Sequence, residues 1–273
     1  MIGPSDMTPE NRLLTETDGP AVEVHKRDGA GRLLLTCEHA SNRLPAALGN
    51  LGLDDEALQS HIAWDPGARA VALRLSEAFD APLVMPCFSR LAYDCNRPPS
   101  RADAIAVQSE GRRVPGNMDL SHDVRAVRAR ALHDPFHDAV EAAIAERQGA
   151  GRPPVLLTLH SFTPVFLGQT RDVELGLLHD DDARLADACL TATEALGQGP
   201  RTARNQPYGP TDGVTYTLRK HALPHGLLNL MLEIRNDLIA DDRGQEAMAD
   251  WLRALLTRAL ADLDHTASIG GTP

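Results

Sequence analysis

Aromatic residues are scarce in this chain: Phe, Tyr and Trp make up 4% of its 273 residues. Hydrophobic residues still reach 42%, so a packed core is available, but aliphatic side chains must build it. Positive charge is also short. Lys and Arg number 27 against 38 Asp and Glu, a formal net charge of -11. That argues against a nucleic-acid partner, which needs a basic face to meet phosphates. A locally positive pocket for a small anion remains open to such a chain. Only four cysteines occur, at 37, 87, 95 and 189, with no C-x-x-C pair. Together with the lack of a signal peptide, this predicts free thiols in a reducing cytoplasm instead of a disulfide framework. No apolar run approaches the ~20 residues of a membrane helix, so no membrane partner is expected. The chain also lacks a G-x-S-x-G elbow, a P-loop, a G-x-G-x-x-G loop and an H-E-x-x-H pair.

What is present alternates between strand-like and helix-like runs. Residues 32–37, 81–85, 154–159, 173–178 and 226–234 are short apolar runs fit for buried strands. Residues 66–79, 121–148, 182–196 and 243–263 follow helical spacing, with Pro66 at one helix start and a break expected near Pro135. Such alternation predicts one α/β domain over residues 21–265, with a mixed, mostly parallel sheet flanked by helices on both faces. Residues 1–20 read as a loose arm and 266–273 as a flexible tail. In open α/β sheets ligands gather beyond the carboxyl ends of the strands. The polar residues there are Glu38, His39, Arg90, His160, Ser161, Glu233 and Arg235, which predicts that they converge on one rim.

His39 and His160 each follow an apolar run, and imidazole is a good zinc ligand. A catalytic zinc takes three protein ligands and a water. The third ligand is Asp65 or Glu38. Asp65 is favoured, because neighbours on an extended strand point apart and Glu38 adjoins His39. Either histidine alone reads as a structural one; two at strand ends with acids to match point to metal. Glu233 is a general-base candidate, or else the salt-bridge partner of Arg235. Asn96 and Arg97 offer donors that match a substrate carboxylate, or else form a turn before Pro98. Arg90 is placed to polarise a carbonyl or to pair with an acid. His133 and His137 share a helix face but lack the zinc-motif glutamate, and Asp180–Asp182 reads as a solvated turn. The Gly, Ser and charged residues of the loop over residues 99–118 permit a lid without indicating one.

Six segments, taken together, resemble the N-formylglutamate amidohydrolase family: Cys37-Glu-His-Ala-Ser-Asn-Arg-Leu-Pro45, Ala63-Trp-Asp-Pro-Gly67, Ser89-Arg-Leu-Ala-Tyr-Asp-Cys-Asn-Arg-Pro98, Leu159-His-Ser-Phe-Thr-Pro164, Asn205-Gln-Pro-Tyr208 and Leu232-Glu-Ile-Arg-Asn-Asp237. They occur in the family's order over roughly residues 30 to 240. A more distant likeness to zinc carboxypeptidases lies in Asn96-Arg97, His160-Ser161 and Glu233-Ile-Arg235. The resemblance implies a zinc-carboxypeptidase-like fold. It implies a zinc or other divalent metal held by His39, Asp65 and His160, with Glu233 and Arg90 catalytic. Asn96, Arg97, Tyr208 and Arg235 would bind a small anionic N-acyl amino acid such as N-formyl-L-glutamate. The chain departs from the family pattern at Asp65, where a histidine is usual, and at Glu38, where a proline is usual. A related metallohydrolase of another N-acyl amino acid or small peptide, or a non-catalytic carboxylate-binding protein, would use the same residues.

Overall fold

Strand register decides which side chains share a face, and in this chain it sets polar residues opposite one another at one end of the sheet. The computed structural model describes residues 12–270. Its strands are β1 (Val22–His25), β2 (Leu33–Thr36), β3 (Leu83–Pro86), β4 (Gln108–Ser109), β5 (Arg112–Arg113), β6 (Val155–Phe162), β7 (Val165–Phe166), β8 (Gln169–Thr170), β9 (Leu175–Leu178), β10 (Thr202–Arg204) and β11 (Asn229–Arg235). Its α-helices are α1 (Asp55–Gln59), α2 (Ala68–Phe79), α3 (His122–Arg128), α4 (Asp134–Gly149), α5 (Arg184–Leu196) and α6 (Asp242–Gly270). Seven strands form one sheet in the order β1-β3-β2-β6-β11-β9-β10, and the remaining four make two short hairpins, β4–β5 and β7–β8. Strands β3, β2, β6 and β11 run parallel. β1 joins β3 antiparallel, and β9 joins β11 antiparallel. The chain is one α/β domain with a mostly parallel sheet.

Side chains alternate across the sheet with a period of two. Leu33, Leu35, Leu157, Leu159, Leu230 and Leu232 face one way and pack with the apolar sides of α2, α5 and α6. Leu34, Leu156 and Met231 face the other way, against Phe136, Val140 and Ile144 of α4. Aliphatic residues carry both layers, as the scarcity of aromatics requires. On the α4 side the pattern turns polar toward the carboxyl ends. Thr36 is opposite Thr158, and Glu233 is opposite His160. Both strands are buried on two faces, which explains their near-continuous apolar sequences.

Several details differ from expectation. β6 extends through Phe162, so His160 and Ser161 lie inside the strand and not after it. The edge strands β1 and β10 are half-exposed and short, and carry little apolar signal. The helical stretch 121–148 is interrupted by a π-helical turn at Ala129–His133, upstream of Pro135. Pro135 follows directly, at the start of α4, so the shift in backbone pairing falls where its missing N–H would break a regular helix. Of the expected loose arm, residues 1–11 lie outside the described residues, but the next segment is fastened. Leu13 is buried in a cluster with Phe88 and Ile105, and the Asp18 carboxylate accepts from the Ala46 and Thr15 backbone N–H groups at 2.8 Å each. At the other end α6 continues to Gly270, into the expected tail, and residues 271–273 lie outside the described residues. Among the described residues, no helix is long and apolar enough to cross a membrane.

Candidate active site

Three chain segments meet at the carboxyl end of the central strands. His39 follows β2, His160 lies in β6, and Asp65 precedes the N-cap of α2. The Asp65 N–H donates to the His39 carbonyl at 3.0 Å, which ties two of the segments together. Gly67, at φ +80°, makes the turn into α2, and a Cβ there would collide with the Ile239 carbonyl. Only glycine takes that conformation without strain, so Gly67 holds Asp65 where it is.

The two imidazoles point their Nδ1 atoms at Asp65 and at each other. His39 Nδ1 is 3.2 Å from Asp65 Oδ2, His160 Nδ1 is 3.0 Å from the same oxygen, and the two nitrogens are 3.2 Å apart. Each ring turns its Nε2 to an outer carboxylate: His39 to Asp94 Oδ1 at 2.8 Å, and His160 to Glu38 Oε2 at 3.0 Å. For His39 that arrangement favours the ring proton on Nε2 and a lone pair on Nδ1, as in the outer layer of a histidine metal site. His160 Nε2 and Glu38 Oε2, by contrast, lie in ion-pair range without hydrogen-bond geometry. Zinc ligands about 2.1 Å from the ion at tetrahedral corners are roughly 3.4 Å apart. The His39–Asp65–His160 group has the right atoms, spacing and burial to hold a metal ion. Glu38, the alternative third ligand, points instead at the far nitrogen of His160.

Charge accounts for the group's electrostatics. Burial alone would lower the His160 pKa, but Glu38 and Asp65 outweigh it and raise it well above the ordinary imidazole value. Burial alone would raise Asp65, but His39 and Arg90 hold it well below the carboxylate range. At Glu233 the balance goes the other way: burial outweighs the downward pull of His160, His39 and Arg90, and Asp65 adds to the rise. Burial pushes its pKa up to about 7, and its Oε2 is buried without a hydrogen-bond partner. Asp65 Oδ1 is likewise without one. Glu38 Oε2, Asp65 Oδ1 and Glu233 Oε2 are thus buried carboxylate oxygens without a hydrogen-bond partner around the His39–Asp65–His160 group.

These residues open into a cavity of about 440 Å³, lined also by Arg90, Arg97, Tyr208 and Phe166. Arg90 is anchored by the Ile62 and His61 carbonyls and brings Nη1 to 3.3 Å from Asp65 Oδ1. Arg97 donates from Nη1 to the Asn96 and Gly213 carbonyls and pairs through Nε with Asp103, leaving Nη2 without a protein partner among the described residues. Two expected binding residues are occupied elsewhere. The Asn96 amide bridges the Val214 carbonyl and Thr217, so it holds the 214–217 segment in place. Arg235 pairs with Asp237 and Glu174 and does not line the cavity. It does not pair with Glu233 either.

Three residues of the site went unassigned on sequence. Asp94 lies within the segment that supplied Asn96 and Arg97, so its partnership with His39 had a local signal. His61 had none, since no strand precedes it. It lies 2.8 Å from the Ser161 carbonyl and 2.7 Å from Glu110 Oε1. Glu110 belongs to the turn of the β4–β5 hairpin, inside the loop over residues 99–118, and lines the cavity.

The model of the N-formylglutamate amidohydrolase family matches residues 31–240, which contain every residue of this site. The crystal structure of gene product Atu2144 from Agrobacterium tumefaciens shares 55% identity and superposes with a TM-score of 0.91, over 93% of this chain and 100% of that one. N-formylglutamate amidohydrolase from Ralstonia eutropha JMP134 shares 18% identity and superposes with a TM-score of 0.67, over 88% of this chain and 97% of that one, a likeness of fold. No curated protein matches the chain. With three quarters of its length, including the clustered histidines and acids, inside the family's span, the chain belongs to the N-formylglutamate amidohydrolase family and is a hydrolase that acts on an amide bond.

Proposed function

We propose that the protein is a metal-dependent amidohydrolase that removes the N-acyl group, formyl above all, from a small acidic amino acid such as N-formyl-L-glutamate. One observation carries the reading. A carboxylate poised to exchange a proton near neutral pH, Glu233, opens on the same cavity as a His-Asp-His ligand group. His39 Nδ1, His160 Nδ1 and Asp65 Oδ2 would hold the cation, with zinc suited to that mixed nitrogen and oxygen set. When bound, the cation supplies Lewis acidity, which makes water usable as a nucleophile at neutral pH and polarises a carbonyl.

The chain's own residues do the rest. Glu233 takes a proton from the attacking water as the new C–O bond forms at the formyl carbon. It then gives that proton to the departing nitrogen as the C–N bond breaks, so formate and the free amino acid leave. Arg90, held by two carbonyls, presents its guanidinium beside Asp65 and offsets the charge that grows on the carbonyl oxygen. Arg97 receives the substrate's α-carboxylate through its unpartnered Nη2, and Asn96 keeps Arg97 in position through its backbone carbonyl. Asp94 holds the His39 imidazole in one tautomer.

The test is formate release from N-formyl-L-glutamate by purified protein, before chelation, after it, and after zinc is restored. Release that stops with the chelator and returns with zinc is expected. No release from fully metal-loaded protein would discard the substrate, and absence of both release and bound metal would discard the metallohydrolase.

A further inference from the structure

The acids that line the mouth of the cavity are already engaged. Asp103 is paired with Arg97 and Arg101, Glu110 with His61, and Asp212 accepts the Gly209 N–H at 2.8 Å. Arg171 is different. Among the described residues no carboxylate lies in ion-pair range of it, whereas Arg90, Arg97 and Arg235 each have one. Aromatic faces hold it instead: its guanidinium lies 4.4 Å from the Phe166 ring centroid, 4.9 Å from Tyr208 and 5.5 Å from Phe162. Its side-chain hydrogen bond is a long one, from Nη1 to the Thr163 carbonyl at 3.4 Å. The backbone is fixed, because the Arg171 N–H donates to the Pro164 carbonyl at 2.8 Å and closes the β7–β8 hairpin. Aromatic rings orient a guanidinium without neutralising it. Two of the three rings, Phe166 and Tyr208, line the catalytic cavity. So an oriented positive charge stands beside the cavity wall, against Phe166 and Tyr208, with no carboxylate in ion-pair range among the described residues. In a chain whose net charge is -11, an arginine left without a carboxylate next to the cavity is suited to meet an incoming anion.

We infer that Arg171, with the Tyr208 hydroxyl beside it, forms the subsite that receives the second carboxylate of a dicarboxylic N-acyl amino acid, while Arg97 receives the first. This rests on the proposed reaction for the identity of the substrate. The pair thereby selects acidic over neutral side chains, and its effect falls on substrate binding and not on bond cleavage.

Formate release is measured with N-formyl-L-glutamate, N-formyl-L-glutamine and N-formyl-L-lysine, for the wild type, Arg171→Gln, Arg171→Lys and Tyr208→Phe. Calorimetric titration of the same three ligands runs in parallel, and a melting curve checks each variant's fold. The wild type is expected to prefer the glutamate compound over its glutamine isostere. Arg171→Gln is expected to cost about 10²-fold in kcat/KM on the glutamate compound, mostly through KM, and less than about threefold on the glutamine compound. Arg171→Lys should recover part of the preference, since it keeps the charge but not the planar fork. Tyr208→Phe should weaken it by about tenfold or less.

Formate release with an unchanged preference in Arg171→Gln overturns the subsite and leaves the reaction standing. A wild-type preference for the lysine compound also overturns it, and gives the mouth acids the selective role. No formate from any compound, with a calorimetric preference for the glutamate compound that Arg171→Gln erases, supports the subsite and overturns the reaction. Neither turnover nor preferential binding overturns both.

Discussion

Two groups of buried histidines stand on the same side of the sheet and behave in opposite ways. His160 is 2% exposed and His137 is 3% exposed, so burial does not separate them. Their neighbours do. His160 lies between Glu38 and Asp65, whose charges raise its pKa well above the ordinary value despite burial. His137 lies between the Cys95 carbonyl at 2.9 Å and the His221 ring at 2.8 Å, with the tilted His133 ring centred 4.2 Å away. Burial pushes it down to about 2, and the other two histidines push the same way. An imidazole among acids can carry a proton or hold a metal. One among carbonyls and other imidazoles stays neutral and serves packing. Residue type and burial are therefore poor guides to a functional histidine, and the count of carboxylates around the ring is a better one.

The comparison is sharpest when one member of each group is removed. His160→Ala should abolish bound metal and reduce turnover by at least about 10³-fold, with most of the protein still folded. His137→Ala should keep metal content and kcat in the folded fraction. It should cost about 2–4 kcal/mol of stability through a cavity and an unpartnered Cys95 carbonyl. Metal analysis and thermal melts of the two proteins check both. Equal metal loss in the two variants would erase the distinction.

Glu233 tests the same logic with a carboxylate, because burial there outweighs the pull of His160, His39 and Arg90. Glu233→Gln should retain metal and lose about 10²–10⁴-fold in kcat. The wild-type rate should rise with pH along a limb at or below about 7, as Glu233 loses its proton. A bound cation favours the ionised form and moves the limb downward. In metal-free protein the folded-state pKa, about 7, lies above the ordinary 4.5. The stability linked to this group is then complete below about 4.5 and lost as pH rises through 7. Metal-free Glu233→Gln should therefore melt above the wild type at pH 8, by on the order of 3 kcal/mol, and match it at pH 4.5. A wild type that melts higher at pH 8 would contradict the assigned burial cost.

The smallest effect concerns the turn that positions Asp65. Gly67→Ala places a side chain at φ +80°, against Ile239. It should cost about 1–3 kcal/mol and lower metal affinity, while leaving the His137 group unchanged. Metal titration together with denaturant melts checks this. Unchanged affinity would mean that Asp65 is held by its hydrogen bonds alone.

Much of the fold was legible because buried parallel strands are continuous apolar runs. The runs at 32–37 and 154–159 correspond to β2 and β6, and the helical spacing at 66–79 corresponds to α2. β1 and β10 were not, because short edge strands alternate weakly and gain their identity by pairing with β3 and β9. The rim residues were legible as strand-end polar groups, and His39, His160 and Glu233 do share a cavity. Arg235 stood in the same kind of position, yet Asp237 and Glu174 take its guanidinium. Glu38 and His39 are adjacent in sequence, and only the tertiary contacts showed that one faces His160 Nε2 while the other presents Nδ1 to Asp65.

By itself the sequence determined the composition of the core, the alternation that makes an α/β sheet, and the residue types able to hold a metal and move a proton. Those are local properties, set by side-chain chemistry and by periods of two and 3.6 residues. The tertiary structure decided which acids surround which imidazoles, which arginines are neutralised, and that Arg171 is not. The field at a side chain comes from groups far apart in the chain: Glu38 lies 122 residues from His160, yet their charged atoms are 3.0 Å apart. Coulomb interactions depend on that distance and on the water excluded around it, and neither is written in the order of residues.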